Sequence, residues 1–400
     1  MMSTMTTDSA VSSQRYRVIA AGIFALMLTV GLARFGYTPL LPVMQQQAGL
    51  SDLAGGWLAT FNYLGYISGV ILASLVKDLL TKFFIYRLML IVALLTTLAM
   101  GLTDNLLLWG LLRYLSGLSS IAGMLLASGL VLNWLIRHQL RPELGLHFTG
   151  MGFGIMVTGI ASALVVGWLR WDEQWLLMGL IGMLFFVPAW LWMPRPIALT
   201  TQHQASAPPP PSKRWLWLMI AAYFCGGVGY VISATFIVAI LEKLPVFAGS
   251  GAWVWVIVGL AAAPSAFLWD LVARKLGDIG ALMVCYLLQS LSFVLTMMSA
   301  ELVPNLISVA LYGSTFIGIV SLTLTVIGRQ FPHNPARAMA RLTLSYGVAQ
   351  VLAPALSGYI AEMTGSYHGA LLIAAVVMLL GMLLLGLLLW GSRITTGQQL

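Results

Sequence analysis

Charge is what this sequence has least of. Only 8% of its 400 residues are Asp, Glu, Lys or Arg, against about 25% in an ordinary soluble domain. With 60% hydrophobic residues and a mean hydropathy of +0.93, a soluble fold of this length is excluded. Cysteine is scarcer still. Cys225 and Cys285 are the only two, both inside apolar runs, so neither a disulfide framework nor a Cys/His metal site can be read, and no cofactor or metal is expected. Acidic residues number twelve, and none falls at the centre of an apolar run. Five scattered His and no acid cluster argue against a polytopic membrane enzyme. No P-loop is present, so ATP is not expected to drive the protein directly.

What is there is a pattern in the few charges. Of twenty basic residues, sixteen fall in alternate gaps between long apolar runs: Arg15 and Arg17; Lys77, Lys82 and Arg87; Arg137 and Arg141; Arg195, Lys213 and Arg214; Arg274 and Lys275; Arg329, Arg337 and Arg341; and Arg393. The intervening gaps hold mostly acids, among them Asp52, Asp104, Asp172, Glu173, Glu242, Glu301 and Glu362. That alternation is the positive-inside signature of a chain crossing a bilayer many times, with both termini in the cytoplasm. It also accounts for the net charge of +8 without nucleic acid, because no segment gathers basic residues and aromatics on one polar surface.

A bilayer core takes about 20 apolar residues per helix. Twelve runs meet that length, near 18–41, 54–76, 84–102, 106–135, 145–169, 174–193, 215–240, 250–269, 280–299, 303–327, 342–361 and 368–391. The first is longer than the apolar part of a signal peptide and eleven similar runs follow, so cleavage is not expected. Residues 194–214, PRPIALTTQHQASAPPPPSKR, are polar and Pro-rich and read as a semi-extended spacer. The predicted organisation is therefore an all-α membrane protein: a cytoplasmic tail (1–14), a six-helix bundle (15–193), a cytoplasmic linker (194–214), a second six-helix bundle (215–391) and a cytoplasmic tail (392–400). A weak internal repeat supports the division, with Trp57 and Trp253 near the start of each half's second span and Asp78 and Asp270 at its cytoplasmic end. Six plus six with a central linker is the plan of a rocker-type carrier.

Several motifs carry a family resemblance. PSAFLWDLVARKLG (Pro264 to Gly277) resembles the D-R-x-G loop signature of the major facilitator superfamily; its first-half copy around Gly69, Asp78, Lys82 and Arg87 lacks the following Gly. LLRYLSGLSS (Leu111 to Ser120) is similar to the family's fourth-helix motif with its buried Arg113, and GLHFTGMGFGIMVTG (Gly145 to Gly159) is glycine-rich like the antiporter motif, without its Gly-Pro pair. RFGYTPLLPVM (Arg34 to Met44), WLATFNYLGYISG (Trp57 to Gly69) and GLHF resemble the YbfB/YjiJ-type branch. The resemblance implies twelve transmembrane helices in two bundles, with the first and fourth helices lining a central cavity. It also implies gating contacts from Asp78 and Asp270, with Arg274 and Arg341 nearby, to the helices that begin near Gly145 and Arg341.

Arg34 and Arg113 are the basic residues that topology leaves over, since Arg170 and Lys243 sit at outer helix ends. A mid-membrane Arg costs about 2.5–3.5 kcal/mol on insertion scales and normally faces a cavity or a partner. Either Arg can clamp an anionic or carbonyl-rich solute, because guanidinium gives planar, bidentate recognition; equally, either can tie backbone carbonyls. Other candidate substrate contacts are Asn62, Tyr66, Tyr223, Tyr230, Gln289, Tyr346 and Gln350, each as able to make an interhelical hydrogen bond. Glu362 and His147 are candidates for proton coupling, with a loop acid and an interface histidine as the alternatives. Gly65, Gly69 and Ala73, like Gly150 and Gly154, predict close helix contacts, and Trp253 and Trp255 are assigned to the interfacial aromatic belt. The expected function is a monomeric secondary transporter of the inner membrane, moving a small solute and protons by alternating access. An anionic or polar metabolite is favoured, since a cationic drug normally wants a buried carboxylate. Multidrug efflux and a transporter-like receptor or sensor are the alternatives.

Overall fold

Within hydrocarbon every backbone N–H and C=O must be paired inside its own segment, and each apolar run answers with a helix. The computed structural model describes residues 2–140, 144–197, 211–331 and 335–397, with side chains described over 14–140, 144–197, 211–331 and 341–390. Most of the predicted linker (198–210), Arg141 and the ends of both predicted tails lie outside the described residues. No strand occurs among the described residues.

Among the described residues twelve long helical segments follow one another. The first, α1, joins Met2–Leu26, a π-helical turn Met27–Leu32 and Tyr37–Ala48. Next come α2 (Asp52–Leu75), α3 (Leu79–Met100) and α4, which joins Leu106–Ser119, a π-turn Ala122–Ala127 and Ser128–Arg137. Then come α5 (Gly145–Val165), α6 (Trp171–Trp192), α7 (Lys213–Glu242) and α8, made of Gly251–Ala262 and Ser265–Leu276. The last four are α9 (Asp278–Met298), α10 (Leu302–Gln330), α11 (Pro335–Thr364) and α12 (His368–Gly397). By length and composition ten can cross a bilayer, and the two pieces of α8 make eleven if counted as one.

Several boundaries depart from the sequence reading, and three features have a local reason. The first helix runs to Ala48 because Gln45–Gln47 are good helix formers, and it stops at Gly49, whose φ of +67° closes the left-handed cap. The fifth stops at Val165, ahead of Gly167 at φ +85°. The eighth bends by 46° at its break, where Pro264 lacks the N–H a helix needs.

The chain's two halves meet chiefly along two helix pairs, α2 with α11 and α5 with α8, with a smaller contact between α1 and α7. Small residues permit the approach. A Cβ on Gly56 would stand 3.1 Å from the Pro354 carbonyl carbon, and one on Gly152 would stand 2.5 Å from the Ala263 Cα. The predicted small-residue faces instead pack within the first half: Gly65 and Gly69 against α4, Gly150 against Ile23 and Gly154 against Gly31 of α1.

The hydrogen bonds between the halves among the described residues gather at one end and the middle of the bundle. Thr38 Oγ1 donates to the Ala234 carbonyl and Thr60 Oγ1 to that of Val351. At the end itself Asp52 receives Lys243 Nζ at 3.3 Å and the Tyr367 hydroxyl at 2.7 Å, while Leu53 N donates to Glu362 at 3.2 Å. Call this the Asp52 end; the opposite, Asp78 end carries the turns at 76–78 and 277.

Candidate functional site: a tyrosine-lined arginine between the halves

The π-turn of α1 widens the helix to i→i−5 bonding, Ala33 N to Leu28 O and Phe35 N to Val30 O, just before the helix is interrupted at residues 33–36. Arg34 sits in that interruption, 5% exposed. Its guanidinium carbon lies 4.5 Å from the Tyr63 ring centroid, 4.7 Å from that of Tyr66 and 5.6 Å from that of Phe35. Among the described residues no carboxylate pairs with it, and its Nε has no hydrogen-bond partner.

Across from it the second half presents aromatic rings. Tyr230 meets Tyr63 edge-on at 6.3 Å, and near-parallel contacts run on from it: Tyr230 to Tyr346 at 5.8 Å, Tyr346 to Tyr223 at 4.5 Å, and Tyr230 to Phe316 at 5.5 Å. The Tyr312 hydroxyl donates to the Tyr230 carbonyl and steadies this set. Tyr346 Oη and, one turn further on α11, Gln350 Oε1 are buried without partners. Four of the candidates, Tyr66, Tyr223, Tyr230 and Tyr346, therefore join Arg34 in one cluster, and Gln350 lies on the same helix face as Tyr346.

Arg113 is placed differently. Its Nη1 and Nη2 donate to the carbonyls of Ala33 (2.9 Å) and Arg34 (3.1 Å), and the Tyr37 ring lies 4.5 Å from its guanidinium carbon. Ser116 Oγ reaches the same Ala33 carbonyl at 2.6 Å, and Asn62 Nδ2 binds both Ser116 Oγ and the Arg113 carbonyl. Arg113, Ser116 and Asn62 thus hold the interrupted turn that aims Arg34. Gln289 lies elsewhere, fully buried on α9 and accepting from Thr315 of α10 at 3.2 Å.

His147 is fully buried where α1, α4 and α5 converge. Its Nε2 is 2.9 Å from Ser128 Oγ and 3.2 Å from the Gly123 carbonyl in the π-turn of α4. The Ser128 hydroxyl already donates to Met124 O, so Nε2 carries the proton, and Nδ1, facing Gly22, has no partner. Glu362 is exposed and holds the N-terminus of α2 through Leu53.

The four gating candidates make no bond between the halves among the described residues. Asp78 caps α3, accepting from both the N–H and the hydroxyl of Thr81 at 2.6 Å, which hold its carboxyl below the usual Asp range. Asp270 pairs with Arg274 one turn away at 3.0 Å, and Arg341 is exposed. The charges that do bridge the halves, Asp52 and Lys243, are at the other end. Burial and the neighbouring Asp52 push the Tyr367 hydroxyl well above its usual range, so it remains a donor to Asp52. Sequence reading also missed Tyr63, although its spacing of three from Tyr66 puts both on one helix face. Trp255 corrects the assignment to the interfacial belt: it is buried, edge-on to Phe35 at 5.9 Å, whereas Trp253 is half-exposed.

Long apolar helices packed through small residues, with a buried cation between two halves, define a multi-pass membrane protein of the carrier type. The sequence model of the family described as "Uncharacterised MFS-type transporter YbfB" matches residues 26–386, and the chain belongs to that family. No curated protein sequence matches it. Among solved structures it is similar to a point mutant of the nucleoside transporter NupG (TM-score 0.76, 12% identity, 94% of this chain and 99% of that one). It is also similar to a bacterial homologue of the human lysosomal transporter Spinster, inward-facing and occupied (TM-score 0.67, 16% identity, 94% and 96%). At these identities the likeness is one of fold.

Proposed function

We propose that the protein is a secondary active transporter of the cytoplasmic membrane. It carries an anionic or polar metabolite by alternating access between its halves, 15–193 and 215–391, with protons as the coupling ion. In this reading it works as a monomer with twelve crossings and both termini in the cytoplasm, so the Asp52 end faces outward and is the end closed here. One observation carries the reading: Arg34 is buried at the junction of the halves, among tyrosines from both and with no acid among the described residues to neutralise it. A buried cation without a counter-charge is costly, and a solute anion would relieve that cost in transit.

An efflux antiporter for cationic compounds is less well supported, because such a solute would meet Arg34 and no carboxylate. His147 and Glu362 are the coupling candidates. Of these His147 has the buried, half-satisfied ring a proton relay uses. Proteoliposome uptake of radiolabelled organic anions under an imposed pH gradient tests the proposal. Uptake that depends on the gradient and disappears in Arg34→Ala is the expected result. Binding without uptake would point to a receptor instead, and uptake indifferent to Arg34 would remove the clamp.

A further inference from the structure

We propose that the solute taken at Arg34 is a planar aromatic monocarboxylate, its carboxylate lying edge-on to the guanidinium and its ring joining the tyrosine stack. This rests on the reading of Arg34 as a solute contact and narrows the class that contact selects.

The first argument is directional. Tyr63 and Tyr66 present their rings to the Arg34 guanidinium at cation–π distance, and a guanidinium can stack such rings against its own face. The N–H fork points along the plane, where a carboxylate binds with two parallel hydrogen bonds. The two kinds of contact are compatible, so the rings and an anion can share the one guanidinium. Arg34 Nε, buried and without a partner, lies on that edge.

The second argument is stoichiometric. Two arginines lie at this depth, but each terminal nitrogen of Arg113 already donates to a backbone carbonyl, Nη1 to Ala33 and Nη2 to Arg34, and its Nε alone has no partner. Arg34 donates to no backbone carbonyl among the described residues, so its fork is the freer of the two, which matches one carboxylate. A dianion would bring a second carboxylate in competition with the carbonyls that Arg113 already holds.

The third argument is shape. Tyr223, Tyr346 and Tyr230 lie within 30° of parallel in successive contacts, a ladder that a flat ring extends and a puckered one does not. Tyr230 meets Tyr63 across the junction of the halves, so separation of the halves parts those two rings and opens the position beside Arg34. The unpartnered Tyr346 hydroxyl stands in the same ladder, ready for a hydroxyl or amine on the solute ring.

Binding measured by calorimetry on the intact purified protein tests this with four probes: benzoate, cyclohexanecarboxylate, phthalate and uridine. Cyclohexanecarboxylate matches benzoate in charge and size without a flat ring, so their ratio isolates stacking. Benzoate should bind roughly tenfold tighter, the order expected of one or two aromatic contacts. It should also bind tighter than the dianion phthalate and the neutral uridine. Arg34→Ala should abolish carboxylate binding. Tyr346→Leu should bring the benzoate-to-cyclohexanecarboxylate ratio toward one while cyclohexanecarboxylate still binds. Equal affinity for the two monocarboxylates in the unmodified protein, with both lost in Arg34→Ala, would overturn the aromatic assignment and leave the anion carrier standing. Tighter binding of phthalate or uridine would overturn the monoanion assignment. Carboxylate binding that survives Arg34→Ala would overturn the clamp and this inference with it.

Discussion

Replacing Asp52 should loosen the closed end of the bundle by an amount its contacts allow one to estimate. The carboxylate receives Gln45 Nε2 at 2.6 Å within its own half, and the Tyr367 hydroxyl at 2.7 Å and Lys243 Nζ at 3.3 Å from the other. Lys243 is half-exposed, so that pair is worth about 0.2–1 kcal/mol. Tyr367 is buried, and a hydrogen bond to a charged group is worth about 1.5–3 kcal/mol against about 0.5–1.5 for a neutral one. Asp52→Asn keeps an acceptor and loses the charge, so the closed state should lose about 1–2 kcal/mol, roughly a five- to thirty-fold shift toward opening at this end. Asp52→Ala, which removes the acceptor, should shift it further. Spin labels at Gln46 and Met363, exposed positions on opposite halves at this end, would report the change as growth of a longer distance by pulsed electron resonance. Raising salt should mimic only the Lys243 part, because screening acts on the exposed pair. A distance distribution unchanged in Asp52→Ala would refute the reasoning.

Gly56→Leu should open the same end by steric means: even its Cβ would stand 3.3 Å from the Ala355 Cα and closer to the Pro354 carbonyl, backbone that cannot turn aside, at a cost of about 1–3 kcal/mol to the closed state. The same spin-label pair reads it, and a native distance would show that α2 and α11 can yield there. Arg113→Ala should lower thermal stability in detergent, since it strips the side-chain donor from the buried Arg34 carbonyl at about 1–3 kcal/mol, while the Ala33 carbonyl keeps Ser116. If that variant melted normally while losing anion binding, Arg113 would be a solute contact instead of a positioning residue. Thr81→Ala should raise the Asp78 pKa toward the ordinary Asp value of about 3.9, measured by infrared titration of the carboxylate. Because Asp78 is held below that value, its cap persists above it and is lost as pH falls through the lowered value. An unmoved titration would clear Thr81 as the cause.

What was legible in the sequence is what the bilayer itself enforces. Twelve apolar runs stand out because a spanning helix needs a fixed length, and Arg34 and Arg113 stand out because a guanidinium in such a run is expensive. Their division of labour could not be read. It depends on an interruption of α1 at residues 33–36 that leaves carbonyls for Arg113 to bind, and that interruption follows a π-turn opposite Gly154 on another helix. Trp255 was misassigned for a related reason: nearness to a helix end sets depth, whereas helix rotation sets whether a ring faces lipid or Phe35. The contacts of Asp52 with residues 191 and 315 positions away leave no local signal at all.

The two ends of the bundle hold their acids in different ways, and the difference has an energetic direction. At the Asp52 end the carboxylate binds across the halves, partly shielded and with a buried tyrosine as donor. At the Asp78 end the acids are held within their own halves, Asp270 by an exposed neighbour one turn away, a contact worth about 0.3–0.5 kcal/mol. Releasing the second kind costs little. Releasing the first kind costs more. The end that is closed here therefore has the stronger latch, and opening it requires a compensating contact. In the proposed cycle the solute at Arg34 supplies that contact, as a partner for the guanidinium and the tyrosines around it.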